Sequence, residues 1–119
     1  FIKYNNLMIT KKQIYFDIDG TICTTKNSDY KNSKVKKKMI KFVNTLYEQN
    51  TIIFFTARYM GRYKGNTKLV KKKYLETKNQ LIRWGFKFHK LTMGKPRYDY
   101  LIDDKAYNVR DPYLKKLLK

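Results

Sequence analysis

Cysteine, histidine and long apolar runs are all scarce in this chain of 119 residues. A single cysteine, Cys23, excludes an internal disulfide framework and favours a reducing compartment. With His89 as the only histidine, no histidine cluster supports Cys23 as a nucleophile. We therefore expect Cys23 to pack in the core and His89 to lie at the surface or at a strand end. No apolar stretch approaches the roughly 20 residues that span a membrane, and residues 1–10 show no signal peptide. The sequence predicts a cytoplasmic protein without a membrane partner.

Acidic residues are also scarce, with nine against 28 basic residues and a formal net charge of +19. Such a field attracts nucleic acid and other anions. Most of the basic residues are lysines, however, and alanine occurs only twice. Lysine, asparagine, isoleucine, tyrosine and phenylalanine share A/T-rich codons, so a compositional bias explains much of the charge. Nucleic acid is therefore allowed as a partner but is not favoured.

Four of the nine acids lie in two short clusters, Asp17 with Asp19 and Asp103 with Asp104. Asp17 and Asp19 follow an apolar, strand-forming run, and alternation along a strand places both side chains on one side. Two carboxylates this close repel each other unless a cation lies between them, and paired oxygen ligands suit Mg²⁺. Ligands of open α/β sheets bind at the carboxyl ends of the strands. The clustering therefore predicts a metal site at such an edge.

Hydrophobic periodicity predicts strands that alternate with helices, and hence βαβ units with a parallel sheet. We expect one domain over residues 13–119, preceded by a leader or remnant over residues 1–12. Ser33 could cap the first helix and Gly85 should end the second. The predicted strands are residues 13–18, 51–56, 86–91 and 98–102, and the predicted helices are residues 34–48, 67–84 and, in the tail, 113–118.

Residues 17–21, Asp-Ile-Asp-Gly-Thr, follow an apolar strand and resemble motif I of the haloacid dehalogenase-like (HAD) hydrolases. Thr56 ends a second apolar strand, as in motif II, and Lys95 in Met-Gly-Lys-Pro resembles motif III. Asp103 and Asp104 after Tyr-Leu-Ile resemble motif IV. The four motifs occur in order over about 90 residues, so together they are far more specific than any one alone. The wording of motifs I and II is most similar to small bacterial HAD phosphatases of capsule or surface-sugar synthesis.

The resemblance implies an α/β, Rossmann-like (HAD-like) three-layer sandwich with a central, mostly parallel sheet. HAD enzymes often carry a cap domain after motif I or between motifs II and III. Here the gap after motif I holds only a loop and a helix. The gap between motifs II and III holds a loop, a helix and a strand, so no cap domain is expected. The site should be open, covered at most by the loop of residues 59–66, by the substrate or by a homo-oligomeric partner.

The resemblance further implies a phosphatase that hydrolyses a phosphomonoester through an aspartyl-phosphate. Asp17 would be the nucleophile and Asp19 the acid–base residue. Thr56 would donate a hydrogen bond to the phosphoryl group, and Lys95 would neutralise its charge. The expected substrate-binding residues are Gly20, Thr21, Ala57 and Arg58, and the expected Mg²⁺ ligands are Asp17, Asp19, Asp103 and Asp104. Of the acidic pair, we expect Asp104 to be the direct ligand and Asp103 to partner Lys95.

The expected substrate is a sugar phosphate or a related small metabolite. One alternative is a polynucleotide 3′-phosphatase, which the charge and the open site favour. Another is a nucleic-acid-binding module with a decayed HAD site, since aromatic residues and lysines interleave in residues 59–63 and 71–74. The intact motifs argue against decay.

Overall fold

A computed structural model describes residues 9–60 and 66–118, without the side chains of residues 115, 117 and 118. Residues 1–8 of the predicted leader and residues 61–65 of the predicted covering loop lie outside the described residues. The strands and helices are β1 (Gln13–Phe16), β2 (Cys23–Thr24), β3 (Lys34–Val35), α1 (Lys37–Tyr47), β4 (Thr51–Thr56), α2 (Thr67–Trp84) and β5 (Lys90–Met93), with 3-10 segments at Tyr30–Asn32 and Pro112–Leu118.

The main sheet has three parallel strands in the order β1-β4-β5, so β4 lies in the centre. Phe16 at the end of β1 stands opposite Phe54, and Thr56 at the end of β4 stands opposite Met93. β4 is buried along its middle because its side chains on both faces are apolar. This confirms the predicted strand at residues 51–56 and the α/β class with a parallel sheet. The carboxyl ends of all three strands consequently share one edge.

The first helix begins later than predicted. The spacing of apolar residues predicted a start near residue 34, but residues 34 and 35 form β3, which pairs antiparallel with β2. Ser33 does not cap the helix, because its hydroxyl shares a hydrogen bond with Thr25 and the N-cap residue is Lys36. The periodic apolar residues of α1 face the core, where Val43 and Leu46 are fully buried. The short hairpin was missed because two-residue strands carry no periodicity.

The second helix, α2, has the bounds that the sequence predicted. The Asn66 side chain accepts a hydrogen bond from the Leu69 N–H, which caps the start. Gly85 ends the helix in the left-handed region, at a φ of 95°, where a side chain would be strained. The helix buries Thr77, Gln80 and Leu81. A buried glutamine needs polar partners, and Gln80 finds them at the candidate site described below.

The core lies between the sheet and the two helices, and its largest fully buried side chain is that of Phe54. Phe54 packs edge to face against Phe86 and Phe88, which follow α2. Cys23 is fully buried in this core, which confirms the packing role predicted for it. His89 is exposed next to the start of β5 and stacks on Tyr47, which confirms its predicted strand-end position.

The residues just before β1 are bonded to the rest of the fold. The Lys12 N–H donates to the Asn50 side chain at 3.0 Å, and the Asn50 amide donates to the Ile9 carbonyl oxygen at 3.1 Å. The Lys11 N–H donates to the Gln49 carbonyl oxygen at 2.7 Å. These bonds hold residues 9–12 against the turn that precedes β4. The boundary drawn after residue 12 stays a prediction.

Two predicted strands are corrected. The strand expected at residues 86–91 is observed as Lys90–Met93, since ladder pairing with β4 begins only at residue 90. Residues 98–102 form no strand and are exposed, with Ile102 at 97% exposure. A short apolar run has strand composition, but it becomes a strand only when another strand accepts its hydrogen bonds. The tail adopts the 3-10 helix Pro112–Leu118 where an amphipathic helix was expected. No helix within residues 9–60 and 66–118 is long and apolar enough to cross a membrane.

Candidate active site

Asp17 and Asp19 leave the end of β1 on the same side, as the strand alternation predicted, and both line one cavity. Ile18 between them is fully buried and holds the segment in the core. A tight turn follows, in which the Thr21 N–H donates to the Ile18 carbonyl oxygen at 3.0 Å. The turn places Gly20 at a φ of 84°, a conformation that glycine adopts without strain.

The turn uses the two backbone amides that were expected to bind substrate. The Gly20 N–H donates to the Cys23 carbonyl oxygen at 2.9 Å, and the Thr21 N–H is bonded to Ile18. Neither Gly20 nor Thr21 is among the residues that line the cavity. The Thr21 hydroxyl lies 3.4 Å from the Asp17 carboxylate, to which it donates. In this arrangement Gly20 and Thr21 shape the turn and support Asp17, and their contact with substrate stays a prediction.

The end of β4 contributes Thr56, Ala57 and Arg58 to the same cavity. Thr56 is buried, and its hydroxyl oxygen accepts a hydrogen bond from the Arg58 N–H at 3.1 Å. Because the oxygen is the acceptor there, the hydroxyl hydrogen stays available for a group in the cavity. The Thr56 carbonyl oxygen accepts from the Lys95 N–H at 3.1 Å, which ties the segment after β5 to the end of β4.

Arg58 forms a bidentate ion pair with Asp19. Its Nε and Nη2 donate to the two carboxylate oxygens, each at 2.8 Å. Nη1 donates to Gln80 Oε1 at 2.7 Å, and the guanidinium lies 4.7 Å from the centre of the Tyr30 ring. The Gln80 amide in turn donates to the Tyr30 carbonyl oxygen at 2.7 Å. Arg58 is only 2% exposed, so α2 and the 3-10 turn enclose the pair from two sides.

This contact differs from the role the sequence predicted for Arg58. Arg58 was expected to bind substrate, but its guanidinium fork is already occupied by the Asp19 carboxylate. A direct contact with substrate would require Arg58 to leave Asp19, and it stays a prediction. Sequence reasoning missed Gln80, although its helical spacing from Thr77 and Trp84 places it on the inner face of α2.

The ion pair shifts the pKa of both partners. Burial acts to raise the pKa of Asp19, but the hydrogen bonds and charge of Arg58 outweigh it, and the pKa of Asp19 falls below its ordinary value. Thr25 strengthens this effect with a hydrogen bond to the same carboxylate. Burial acts to lower the pKa of Arg58, and Asp19 outweighs it, so this pKa is raised. Both groups are therefore charged at neutral pH.

Lys95 forms the second ion pair of the cavity, with its Nζ 3.2 Å from Asp17 Oδ1. Gly94, at a φ of 99°, turns the chain from β5 toward the site. Burial acts to lower the pKa of Lys95, but Tyr98 and Asp17 outweigh it and raise this pKa. The Lys95 ammonium also lies 5.3 Å from the centre of the Tyr98 ring. Lys95 is thus charged and aimed at the predicted nucleophile.

The cavity has a volume of about 480 Å³ and opens to solvent between the ends of β1 and β4 and the segment after β5. It brings together six predicted site residues: Asp17, Asp19, Thr56, Ala57, Arg58 and Lys95. The residues that sequence reasoning did not place there are Thr25, Ser28, Tyr30, Pro96, Arg97 and Tyr98. They lie on loops, whose course no periodic pattern predicts.

Asp103 and Asp104 lie on an exposed stretch without regular structure, and the Asp103 carboxylate accepts from the Lys105 N–H at 2.7 Å. Neither residue lines the cavity. Within residues 9–60 and 66–118, no three acidic, histidine or cysteine side chains gather closely enough to hold a metal ion. The predicted strand would have carried these acids to the sheet edge, and that strand is not formed. Their role as metal ligands stays a prediction.

Binding of Mg²⁺ stays a prediction, and few donors in the cavity are left for it. Such an ion commonly takes one or two protein carboxylates and completes its shell with water and substrate phosphate. Asp17 suits this role, since its side chain is 34% exposed toward the cavity. The Asp19 carboxylate is occupied by Arg58 and Thr25, which leaves its backbone carbonyl oxygen as the donor it could offer.

Comparisons with known proteins support the fold but do not show a family or an activity. No protein-family model and no curated protein matches the chain. A crystal structure of a structural-genomics target from Vibrio cholerae is similar, with a TM-score of 0.74 and 24% sequence identity. The similarity covers 90% of this chain and 96% of that one. At this identity it shows a shared fold alone, so the class of protein established here is a small α/β protein built on a parallel sheet.

Proposed function

We propose that this chain is a Mg²⁺-dependent phosphatase of the HAD-like type, without a cap domain, that hydrolyses a small phosphomonoester in the cytoplasm. One observation carries the proposal: the ends of β1, β4 and β5 bring Asp17, Thr56 and Lys95 to one open cavity. These are the residues at which motifs I, II and III of that family were recognised from the sequence. The Rossmann-like, three-layer arrangement of that family is part of the proposal.

In the first half-reaction, an Asp17 carboxylate oxygen attacks the phosphorus atom and the bond to the leaving oxygen breaks. Splitting hydrolysis into two steps through an aspartyl-phosphate is ordinary covalent catalysis. Lys95, 3.2 Å from Asp17, offsets the repulsion between the anionic nucleophile and the anionic phosphoryl group. The Thr56 hydroxyl would donate a hydrogen bond to a phosphoryl oxygen.

In the second half-reaction, water attacks the phosphorus atom and releases Asp17 and inorganic phosphate. Asp19 is ionised beside Arg58 and would accept a proton from this water. The same ion pair disfavours the protonated form of Asp19, which is the form that protonates a leaving oxygen. Aryl leaving groups need little protonation, whereas alkyl leaving groups need it more. Aryl phosphates are therefore the most sensitive first substrates.

Mg²⁺ would be held by the Asp17 carboxylate and the Asp19 carbonyl oxygen, with Asp103 or Asp104 as further ligands if their segment reaches the edge of the sheet. When bound, the ion supplies positive charge that neutralises the phosphoryl oxygens. A cavity of about 480 Å³ suits a substrate the size of a sugar phosphate. Because the cavity is open, its volume also admits the terminal nucleotide of a polynucleotide, and the substrate comparison below decides between the two.

The test is hydrolysis of an aryl phosphate by the purified chain with Mg²⁺ and with EDTA. Asp17→Asn should abolish turnover and leave the chain folded, with a small loss of stability in EDTA because the Lys95 ammonium loses its carboxylate partner. Glu76→Gln is the matched control, since Glu76 is an exposed carboxylate on α2 outside the cavity. Activity that is undiminished in EDTA, or that survives in Asp17→Asn, would refute the mechanism.

A further inference from the structure

The charges that line the cavity do not cancel. Two cations and two carboxylates form matched pairs, Lys95 with Asp17 and Arg58 with Asp19. A fifth charged side chain, Arg97, lines the same cavity. It makes no ion pair and no hydrogen bond with any side chain in the described part of the protein, and it is exposed. The cavity therefore presents one unneutralised guanidinium.

Arg97 is carried on an anchored segment. Two residues before it, the Lys95 N–H is bonded to the end of β4 and the Lys95 ammonium to Asp17. Pro96 fixes one backbone angle between them. The next residue, Tyr98, is held by the Lys95 ammonium over its ring. The backbone of Arg97 is thus positioned from both sides, which fixes the point at which its side chain leaves the segment.

Three cations serve different parts of the site. Lys95 points at Asp17, where the phosphoryl group would be transferred, and Arg58 is enclosed behind Asp19. Arg97 is therefore left for an anion elsewhere on the ligand. A guanidinium has a planar fork that matches two oxygens of one carboxylate or phosphate.

We propose that Arg97 forms a second anion site, which binds a carboxylate or a phosphate that the substrate carries in addition to the phosphoryl group to be removed. This inference rests on the proposed function, and it narrows the substrate class to small phosphomonoesters with a second negative group. The cavity volume of about 480 Å³ accommodates a monosaccharide-sized ligand with both anionic groups.

The experiment compares three phosphates built on one ring: glucose 1-phosphate, glucuronic acid 1-phosphate and glucose 1,6-bisphosphate. The first lacks a second anion, the second adds a carboxylate and the third adds a phosphate. The wild-type chain should show kcat/KM about 10-fold higher for at least one of the two charged compounds at 150 mM salt, mainly through KM. The preferred compound shows whether Arg97 binds a carboxylate or a phosphate.

Arg97→Gln should reduce this preference to about twofold or less, and Arg97→Lys should restore part of it, because lysine keeps the charge and loses the fork. Arg83→Gln is the matched control, since Arg83 is exposed in the last turn of α2 and does not line the cavity. The control should keep the full preference. The measured quantity is the ratio of kcat/KM between the charged and the uncharged substrates. A variant that loses activity equally toward all three phosphates leaves this ratio unchanged.

Equal kcat/KM for the three phosphates in the wild-type chain would overturn the inference, and so would a preference that survives Arg97→Gln. A 3′-phosphorylated oligonucleotide that outperforms all three at 150 mM, with a steep salt dependence, would overturn the small-substrate class. If no phosphate is hydrolysed, the proposed function fails, and calorimetric binding of glucose 1,6-bisphosphate then tests Arg97 by itself. Equal binding by the wild type and Arg97→Gln would refute the site, whereas weaker binding by the variant would support it.

Discussion

Replacing Arg58 with methionine tests how much the buried ion pair contributes to the fold. Methionine fills most of the volume of the arginine stem, so packing changes little while the charge and the five donors are lost. Removing one partner of a buried pair costs about 3–5 kcal/mol when the other charge stays buried. The Asp19 side chain is 26% exposed, and partial hydration lowers that cost. Gln80 also loses its guanidinium donor, which adds about 1 kcal/mol.

We therefore expect Arg58→Met to lower the free energy of unfolding by about 3 kcal/mol, a large share of the roughly 5–15 kcal/mol typical of a domain. Urea unfolding, followed by circular dichroism in EDTA at pH 7, should show a midpoint lower by about 1–2 M. If Arg58→Met does not fold, Arg58→Lys should fold with a smaller loss, about 1–2 kcal/mol, because lysine cannot form the bidentate contact.

A double-mutant cycle separates the pair from its surroundings. Asp19→Asn alone should also destabilise, since it leaves the Arg58 guanidinium buried beside a neutral amide. The double variant should lose at least about 2 kcal/mol less than the sum of the single losses. Lys87→Met is the control, because its pair with Glu48 is exposed and should contribute under about 1 kcal/mol. A loss below about 1 kcal/mol in Arg58→Met, or strict additivity, would refute the reasoning.

Two further predictions concern stability. Because the folded-state pKa of Asp19 lies below its ordinary value of 3.8, its contribution is complete above about pH 4 and disappears as the pH falls through the lower folded value. Urea midpoints of the wild type should therefore fall between pH 5 and pH 3 more steeply than those of Asp19→Asn, and parallel profiles would contradict the assignment. Gly85→Ala should cost about 1 kcal/mol, because the helix ends at a φ of 95° while the added methyl meets only Ile40 Cγ2 at 4.0 Å. Thermal unfolding measures this loss, and an unchanged midpoint would show that the helix end rearranges freely.

Local sequence patterns correctly predicted the strands and helices whose burial is visible in the order of neighbouring residues. β4 was predicted correctly because a strand that is buried on both faces has a continuous apolar run. α2 was predicted correctly because a helix that is buried on one face has apolar residues at spacings of three and four. Gly85 was recognised as a helix end since its conformation is disfavoured for other residues. The positions of Asp17, Thr56 and Lys95 followed, because parallel strands deliver their carboxyl ends to one edge.

The sequence by itself determined the α/β class, the central buried strand and the edge at which Asp17 and Lys95 meet, because these depend on periodicity and on the order of strands and helices. Only the tertiary structure decided that the fork of Arg58 is used by Asp19 and that Gln80 supports it, since these contacts join residues 22 and 39 positions apart in the chain. It likewise decided that residues 98–102 stay outside the sheet. Strand composition is local, but a strand exists only where a neighbouring strand accepts its hydrogen bonds, and that neighbour is chosen by the packing of the whole chain.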